Sequence, residues 1–540
     1  MSSRSHAALA ICAAAILGAM SVVFASSAAG RGSDEVSEVA AKAMLENPEN
    51  RTPEKVFEAV SGIASTMASQ PYRQARTDMP KPFRDLRYDT YRKLRPAPEQ
   101  ALWRSEQGEF SMLPLPRGGL FTDPVEIYIV DGGEIQALPN PERFVDFTDY
   151  PNASAADRRE LGVSGWRALG PFRNAEKADE AAVFQGGAYF RAIGRGLAYG
   201  VSARALAIGT ASRNGEEFPR LTHFWIFKPG PYDTELVAAA LLDAPSATGA
   251  YLFTIHPGAR TTIEVKAVIH PRREITEVGV AAMSSMFLHG PADRVGVDDY
   301  RPEVHDSDGL EVMTGSGERI WRPLVNPKYL QVSMFQDTHP RGFGLVQRER
   351  KFPAYADLEA RYDERTSVWV EPQGDWGKGH VGLVEIPTGT EYNDNIVAFW
   401  RPERPWAPGV PQELSYRLTW DAAGPTDSPL AKVVATRTGA HPESGGKRRF
   451  VIDYAGAPIS AASTPDVWSS AGEITNIHLV DDPADAGAGD GGQNKDAAGG
   501  GKRLVFDLDP KGASLIELRA ALAADGVQQA ETWLFRWTPD

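Results

Sequence analysis

The sequence predicts an all-β protein built from two sandwich-type domains, and three observations carry that reading. Short β-branched or aromatic segments recur, many alternating with period two, among them "VEIYIV" (125–130), "THFWIFKP" (222–229), "GAYLFTI" (249–255), "TTIEVKAVI" (261–269) and "SVWVEP" (367–372). The segments are bounded by Gly, Pro or Asp, and 51 glycines with 40 prolines supply the many turns that a β-rich chain needs. Apolar stripes at helical spacing are rare between about 80 and 400.

The elements follow in order. Arg4 and His6 precede an apolar run from Ala7 to Ala25, and Ser27, Ala28 and Ala29 form a cleavage-type stretch. That order predicts a secretory signal peptide over 1–29. No later stretch reaches the roughly 18 apolar residues that span a bilayer, so no stable membrane insertion is expected after cleavage. Residues 30–50 read as a mobile polar leader. Thr52 and Pro53 then start a helix, with Val56, Phe57, Val60, Ile63, Ala64 and Met67 as its apolar stripe and Pro71 as its stop. Residues 51–401 carry the first run of strands. "PERPWAPGVPQ" (402–412) has four prolines and reads as a linker. Beyond it, "ELSYRLTW" (413–420), "KVVATRTG" (432–439), "RRFVIDY" (448–454), "ITNIHLVD" (474–481), "KRLVFDLD" (502–509) and "AETWLFRW" (530–537) predict an immunoglobulin-like domain over 413–540. Its Gly/Ala/Asp tract 482–501 reads as a flexible loop.

Composition excludes several functions. A net charge of -14 repels phosphate backbones, which argues against nucleic acid as a partner. The single cysteine, Cys12, lies in the signal segment, so the mature chain is expected to have neither disulfides nor cysteine metal sites. No G-x-S-x-G elbow is present, and the glycine-rich "GRGLAYG" and "GDWGKG" lack dinucleotide-site context, so no cofactor is expected.

Two carboxylate clusters remain. "EVHDSDGL" (303–310) gathers Glu303, His305, Asp306 and Asp308. The pattern suits a cation site, a carboxylate poised for acid/base work, or a plain turn; EF-hand and H-E-x-x-H spacings are absent, and no metal is assigned. The second stretch, 370–400, holds Glu371, Asp375, Glu385, Glu391 and Asp394, with "NDNIVAFW" setting Asp394 at the mouth of a strand. Trp321, Trp369, Trp376 and Trp400 lie in the same hundred residues as Arg322, Arg348 and Arg365. Indole faces that stack on sugar rings, beside groups that bond hydroxyls, would make a carbohydrate cleft, although more than half of such rings are expected in the core.

"PEVHDSDGL", "IWRPLVNP", "PRGFGLVQRER", "SVWVEPQGDWGKG", "LVEIP" and "NDNIVAFW" occur in that order, preceded by "YDTYRKLR" (88–95), "QGGAYFRAIGRGLAYGVSARALAIGTA" (185–211) and "GEEFPRLTHFWIFKP" (215–229). Together they resemble the osmoregulated periplasmic glucan biosynthesis proteins, types G and D, over nearly the whole mature chain. The resemblance implies a galactose-mutarotase-like sandwich followed by an immunoglobulin-like one, a periplasmic location and β-1,2-glucan as the partner, with a homodimer left open. It implies an inverting endo-β-1,2-glucanase; a transglycosylase that closes or extends the glucan and a non-catalytic escort are the alternatives. Residue by residue, it puts the general acid on Asp394 and the base-side carboxylate on Asp306, with Glu391 and Tyr362 lining the cleft. His305, Asp308, Trp321, Arg365 and Trp369 complete the expected substrate-binding set. Types G and D are not separated by these motifs.

Overall fold

The computed structural model describes residues 52–74, 77–104, 108–174, 177–425, 428–481 and 501–539. The expected signal segment, the leader and nearly all of the 482–501 loop lie outside these residues.

The fold is all-β. A nine-stranded sheet, which includes Tyr189–Ala192, Ser202–Ile208, Val278–Ser285, Lys378–Glu385 and Ile396–Pro402, faces part of a fifteen-stranded sheet. Alternation decides which side chains meet between them. On the strand Ala247–His256, Tyr251 and Phe253 point into the inter-sheet core while Ala250 and Leu252 point outward. Phe253 meets Phe184 and Phe190 of the other layer at 5.0 and 5.2 Å between ring centroids. The Tyr251 hydroxyl donates to the Ala205 carbonyl at 2.7 Å, so the buried phenol is satisfied.

The outer face of the large sheet is covered by the helix Pro53–Ala68. Its N-cap is the expected one: the Thr52 hydroxyl accepts the Lys55 N–H at 3.3 Å. Val56, Val60, Ile63, Ala64 and Met67 are buried against Tyr128, Trp225, Leu241 and Leu252. Burying each large apolar side chain stabilises by about 1.5–3 kcal/mol, against about 1 kcal/mol for the cap, so the sheet rather than the local sequence holds this helix. Arg272 closes its far end by donating to the Gln70 carbonyl at 2.5 Å and to Asp243 at 2.7 Å.

The C-terminal region has its own core, in which Phe450 stacks on Phe506 at 5.1 Å and Trp533 on Phe535 at 5.6 Å. One layer is a four-stranded sheet of Lys432–His441, Ser444–Ala455, Glu473–Asp481 and Lys502–Asp509. The facing layer, Thr464–Ser469, Ile516–Ala524 and Thr532–Trp537, belongs to the fifteen-stranded sheet, because Thr532 and Trp533 pair in parallel with Ile320 and Trp321. The two sandwiches therefore share backbone hydrogen bonds.

The expected boundary at 402–412 needs correction. The next strand, Gln412–Asp421, pairs with Thr261–Pro271 on one side and Ser367–Pro372 on the other, deep in the first body. Trp406 is buried and bridges to Ile275, so this proline-rich stretch is packed rather than free. The C-terminal layer begins with the strand that starts at Lys432.

Buried charge also joins the two bodies. Arg348 grips both oxygens of Glu531 at 2.7 and 2.8 Å, reaches Glu311 at 3.0 Å, and lies 3.5 Å over the Trp321 ring. Both glutamates are fully buried, so the guanidinium's fork supplies the charge and the donors that make their burial tolerable.

Candidate active site

The short strand Phe287–His289 assembles the site. It pairs with Val304–His305, setting Phe287 opposite His305, and the Met286 carbonyl accepts the Asp306 N–H at 2.8 Å. From the other side, the buried Asn395 accepts the Phe287 N–H at 2.8 Å and donates to the Phe287 and Ile386 carbonyls, both at 3.0 Å. Asp306 follows His305 and Asp394 precedes Asn395. Both carboxylates thus hang on the backbone around Phe287.

Their environments differ. Asp306 is 7% exposed, and its Oδ1 is buried without a hydrogen-bond partner, 3.6 Å from Arg365 Nε. Burial pushes its carboxyl up to about 6, with the Asp394 charge adding to the rise and Arg365 and Arg191 opposing it. The Asp394 side chain is 35% exposed, and its oxygen lies 3.9 Å from Arg191 Nη2. Arg191 is held in turn by the Ser202 hydroxyl at 2.6 Å. A buried carboxyl with a free oxygen, a second carboxylate open to solvent, and two guanidinium groups beside them form an acid/base arrangement.

The other expected residues divide into two groups. Glu391 is bound to Arg301 at 2.6 Å, and the same guanidinium holds Asp299 at 2.8 Å and Asp357 at 2.9 Å, tying three loops at one point. Tyr362 is buried; burial raises its phenol pKa, and the charges of the nearby Glu391 and Asp306 add to the rise. Arg365 lies 5.2 Å over the Tyr362 ring and is fixed by the Ala360 and Tyr199 carbonyls. These residues surround the pair.

His305 and Asp308 stand behind it. His305 is fully buried, bonded to Gln347 and Glu303 at 2.9 Å each and 3.7 Å from Asp308. Burial alone would lower its pKa, but the Asp308 and Glu303 charges outweigh that and raise it. Asp308 accepts the backbone N–H groups of Arg348 and of Glu349, the latter at 2.9 Å, and so latches the turn. One donor atom each from Glu303, His305 and Asp308 lie within 4.8 Å of one another, near enough to share a metal ion. The imidazole nitrogen already bonds Glu303 there.

Trp321 and Trp369 are not brought to the pair. Trp321 is buried beneath Arg348, with Gly309 against its ring, and Trp369 lies across Gly342 and Gly344. A Cβ on Gly309 would come within 2.4 Å of the Trp321 ring, which is why this strand carries glycine. Both indoles pack against glycines of the sheet.

Sequence reasoning missed Arg191, Arg301, Gln347 and Asn395. In "GAYFRAIG" the alternation does set Tyr189 and Arg191 on the side opposite the buried Phe190 and Ala192, a usable signal. Arg301 sits in an irregular loop with no periodicity to mark it.

The profile of the family described as "Periplasmic glucan biosynthesis protein, MdoG" matches residues 56–537. The chain is 44% identical over 489 residues to "Glucans biosynthesis protein G" of Vibrio cholerae, covering 89% of this chain and 86% of that one. It is 42% identical over 485 residues to the protein of the same name from Shewanella frigidimarina, covering 89% and 84%. Among solved structures, a galactose mutarotase related enzyme from Lactobacillus acidophilus aligns with 48% of this chain and 96% of its own at 9% identity and a TM-score of 0.20, too low to carry an argument. The match to the family spans both bodies and every element that builds the carboxylate pair, and the chain belongs to the periplasmic glucan biosynthesis protein family.

Proposed function

We propose that this protein is a periplasmic endo-acting, inverting hydrolase of β-1,2-glucan, with Asp394 as the general acid and Asp306 on the base side. The observation that carries this reading is the buried Asp306 carboxyl, raised chiefly by desolvation and with one oxygen unpartnered, with Asp394 as its near neighbour. A carboxyl near 6 is ionised above neutrality and is a stronger base than an exposed aspartate, which suits drawing a proton from water. Asp394, more open to solvent, delivers its proton to the departing glycosidic oxygen. Inversion needs the two groups on opposite faces of the sugar with room for water between them. Arg191 and Arg365 counter the charge of the pair, and Tyr362 and Glu391 would orient hydroxyls.

Incubating the purified mature protein with linear β-1,2-glucan tests the reading. Shorter chains whose new reducing ends first appear as the inverted anomer are expected. Cyclic or lengthened products would assign a transglycosylase, and unchanged glucan would assign an escort.

A further inference from the structure

A cavity of about 680 Å³ has in its wall Tyr189, a residue near enough to Asp394 for that charge to act on its phenol. Tyr189 lies on the same face of its strand as Arg191, roughly 7 Å away, and Arg191 is the cation beside Asp394. Its ring lies under the Arg204 guanidinium at 4.7 Å, and Arg204 bonds Glu216 of the cavity wall at 2.5 Å.

The wall is organised before any ligand arrives. Arg220 is held between Asp123 at 3.1 Å and the Tyr72 hydroxyl at 3.3 Å. Glu217 is fixed by the Ser246 N–H at 2.8 Å, the Ser246 hydroxyl at 2.7 Å and Arg273 at 3.2 Å. Each carboxylate, Asp123, Glu216 and Glu217, has its own arginine, so the cavity offers donors and acceptors without excess charge of either sign. That balance favours a neutral polyhydroxylated ligand over an anion. At the mouth, Phe218 is 59% exposed and Leu120 is 90% exposed. Large apolar side chains left in water on the rim of a cavity of ligand-binding size are what a sugar's C–H face would cover.

We infer that this cavity is a distal glucan subsite, which grips glucose units remote from the cleavage point and makes turnover depend on chain length. The inference rests on the glucan reading above. Binding energy from units that do not react is available for orienting the reacting bond, so a chain too short to reach the cavity is turned over less efficiently.

The test compares wild type with Phe218→Ala on long linear β-1,2-glucan and on short β-1,2-glucooligosaccharides, with Tyr232→Ala, an exposed tyrosine away from the cavity, as control. Phe218 is exposed, so the variant is expected to fold. The advantage of long over short chains in kcat/KM should fall about five- to tenfold in Phe218→Ala, the effect of losing one stacked ring. Affinity for long glucan should fall by a similar factor when measured calorimetrically in the Asp394→Asn background. Turnover by wild type with an unchanged long-chain advantage and unchanged affinity in Phe218→Ala overturns the subsite and leaves the hydrolase reading standing. Absent turnover with Phe218-sensitive binding overturns the hydrolase reading and leaves the subsite. Absent binding of β-1,2-glucan overturns both.

Discussion

Replacing Asp306 with Asn should abolish turnover and yet raise the stability of the folded chain above neutral pH. A carboxyl in the unfolded chain titrates near 3.9, whereas burial, with Asp394 nearby, pushes this one up to about 6 in the fold. The folded state binds the proton more tightly. Its contribution to stability is therefore fully present below the unfolded pKa and is lost as pH rises through the folded one. A shift of about 2 units at ~1.4 kcal/mol per unit makes the whole contribution about 3 kcal/mol. From about pH 4.5 to about pH 8, wild type should lose roughly 2 kcal/mol of it, and Asp306→Asn should lose none of it. Urea unfolding of both proteins at the two pH values measures this. Any fixed cost or gain of the amide cancels when the variant-minus-wild-type difference at one pH is subtracted from that at the other. A difference that does not move between the two pH values would refute the argument that Asp306 is a desolvated, strained carboxylate.

Two further outcomes are expected. Asp394→Asn should lower glucan turnover by at least ~10²-fold while glucan binding persists, whereas Asp375→Asn should keep most activity, since Asp375 is 72% exposed in a turn with His339; equal rates for wild type and Asp394→Asn would remove Asp394 from the chemistry. Glu531→Gln should lower unfolding free energy by about 3–5 kcal/mol, because Arg348 would keep only Glu311 as a charged partner in a buried setting; an unchanged urea midpoint would show that this charge network is not desolvated.

The fold class was legible because many strands face the core on one side only. In Thr261–Pro271 buried and less buried positions alternate almost without exception, and the segment reads as a strand at once. The strands Ser202–Ile208, Leu236–Asp243 and Val278–Ser285 are buried nearly throughout, and "SARALAI", "LVAAALLD" and "VGVAAMSS" carry no alternation to read. The misplaced boundary has a similar cause. Prolines in 402–412 mark a break in regular structure, but only tertiary pairing shows that the strand after the break returns to the first body. At the site, Asp306, Asp394, Glu391 and Tyr362 came through the family motifs and Arg365 through the arginines that accompany the tryptophans, and the structure sets Arg365 beside both Asp306 and the Tyr362 ring. Trp321 and Trp369 are buried against glycines of the sheet, and an indole there has the same composition signal as one that stacks on a sugar.

The two carboxylates are held with unequal firmness, and the proposed chemistry draws on that inequality. Asp306 sits on a turn fixed from behind by Asp308, which binds the Arg348 and Glu349 backbone, while Arg348 is locked to Glu531 across the junction with the C-terminal body. The C-terminal sandwich therefore buttresses the proposed base side from behind, through Glu531 and Arg348. Asp394 has one buried anchor, Asn395, and on its other side the exposed Tyr392 and Asn393. A base that must hold a single water in line gains from rigidity. An acid that must meet the oxygen of a bulky departing chain gains from a side chain free to follow it. Rigid burial on one side and a tethered, solvent-open turn on the other is thus the division of labour that the proposed hydrolysis within a polymer would use.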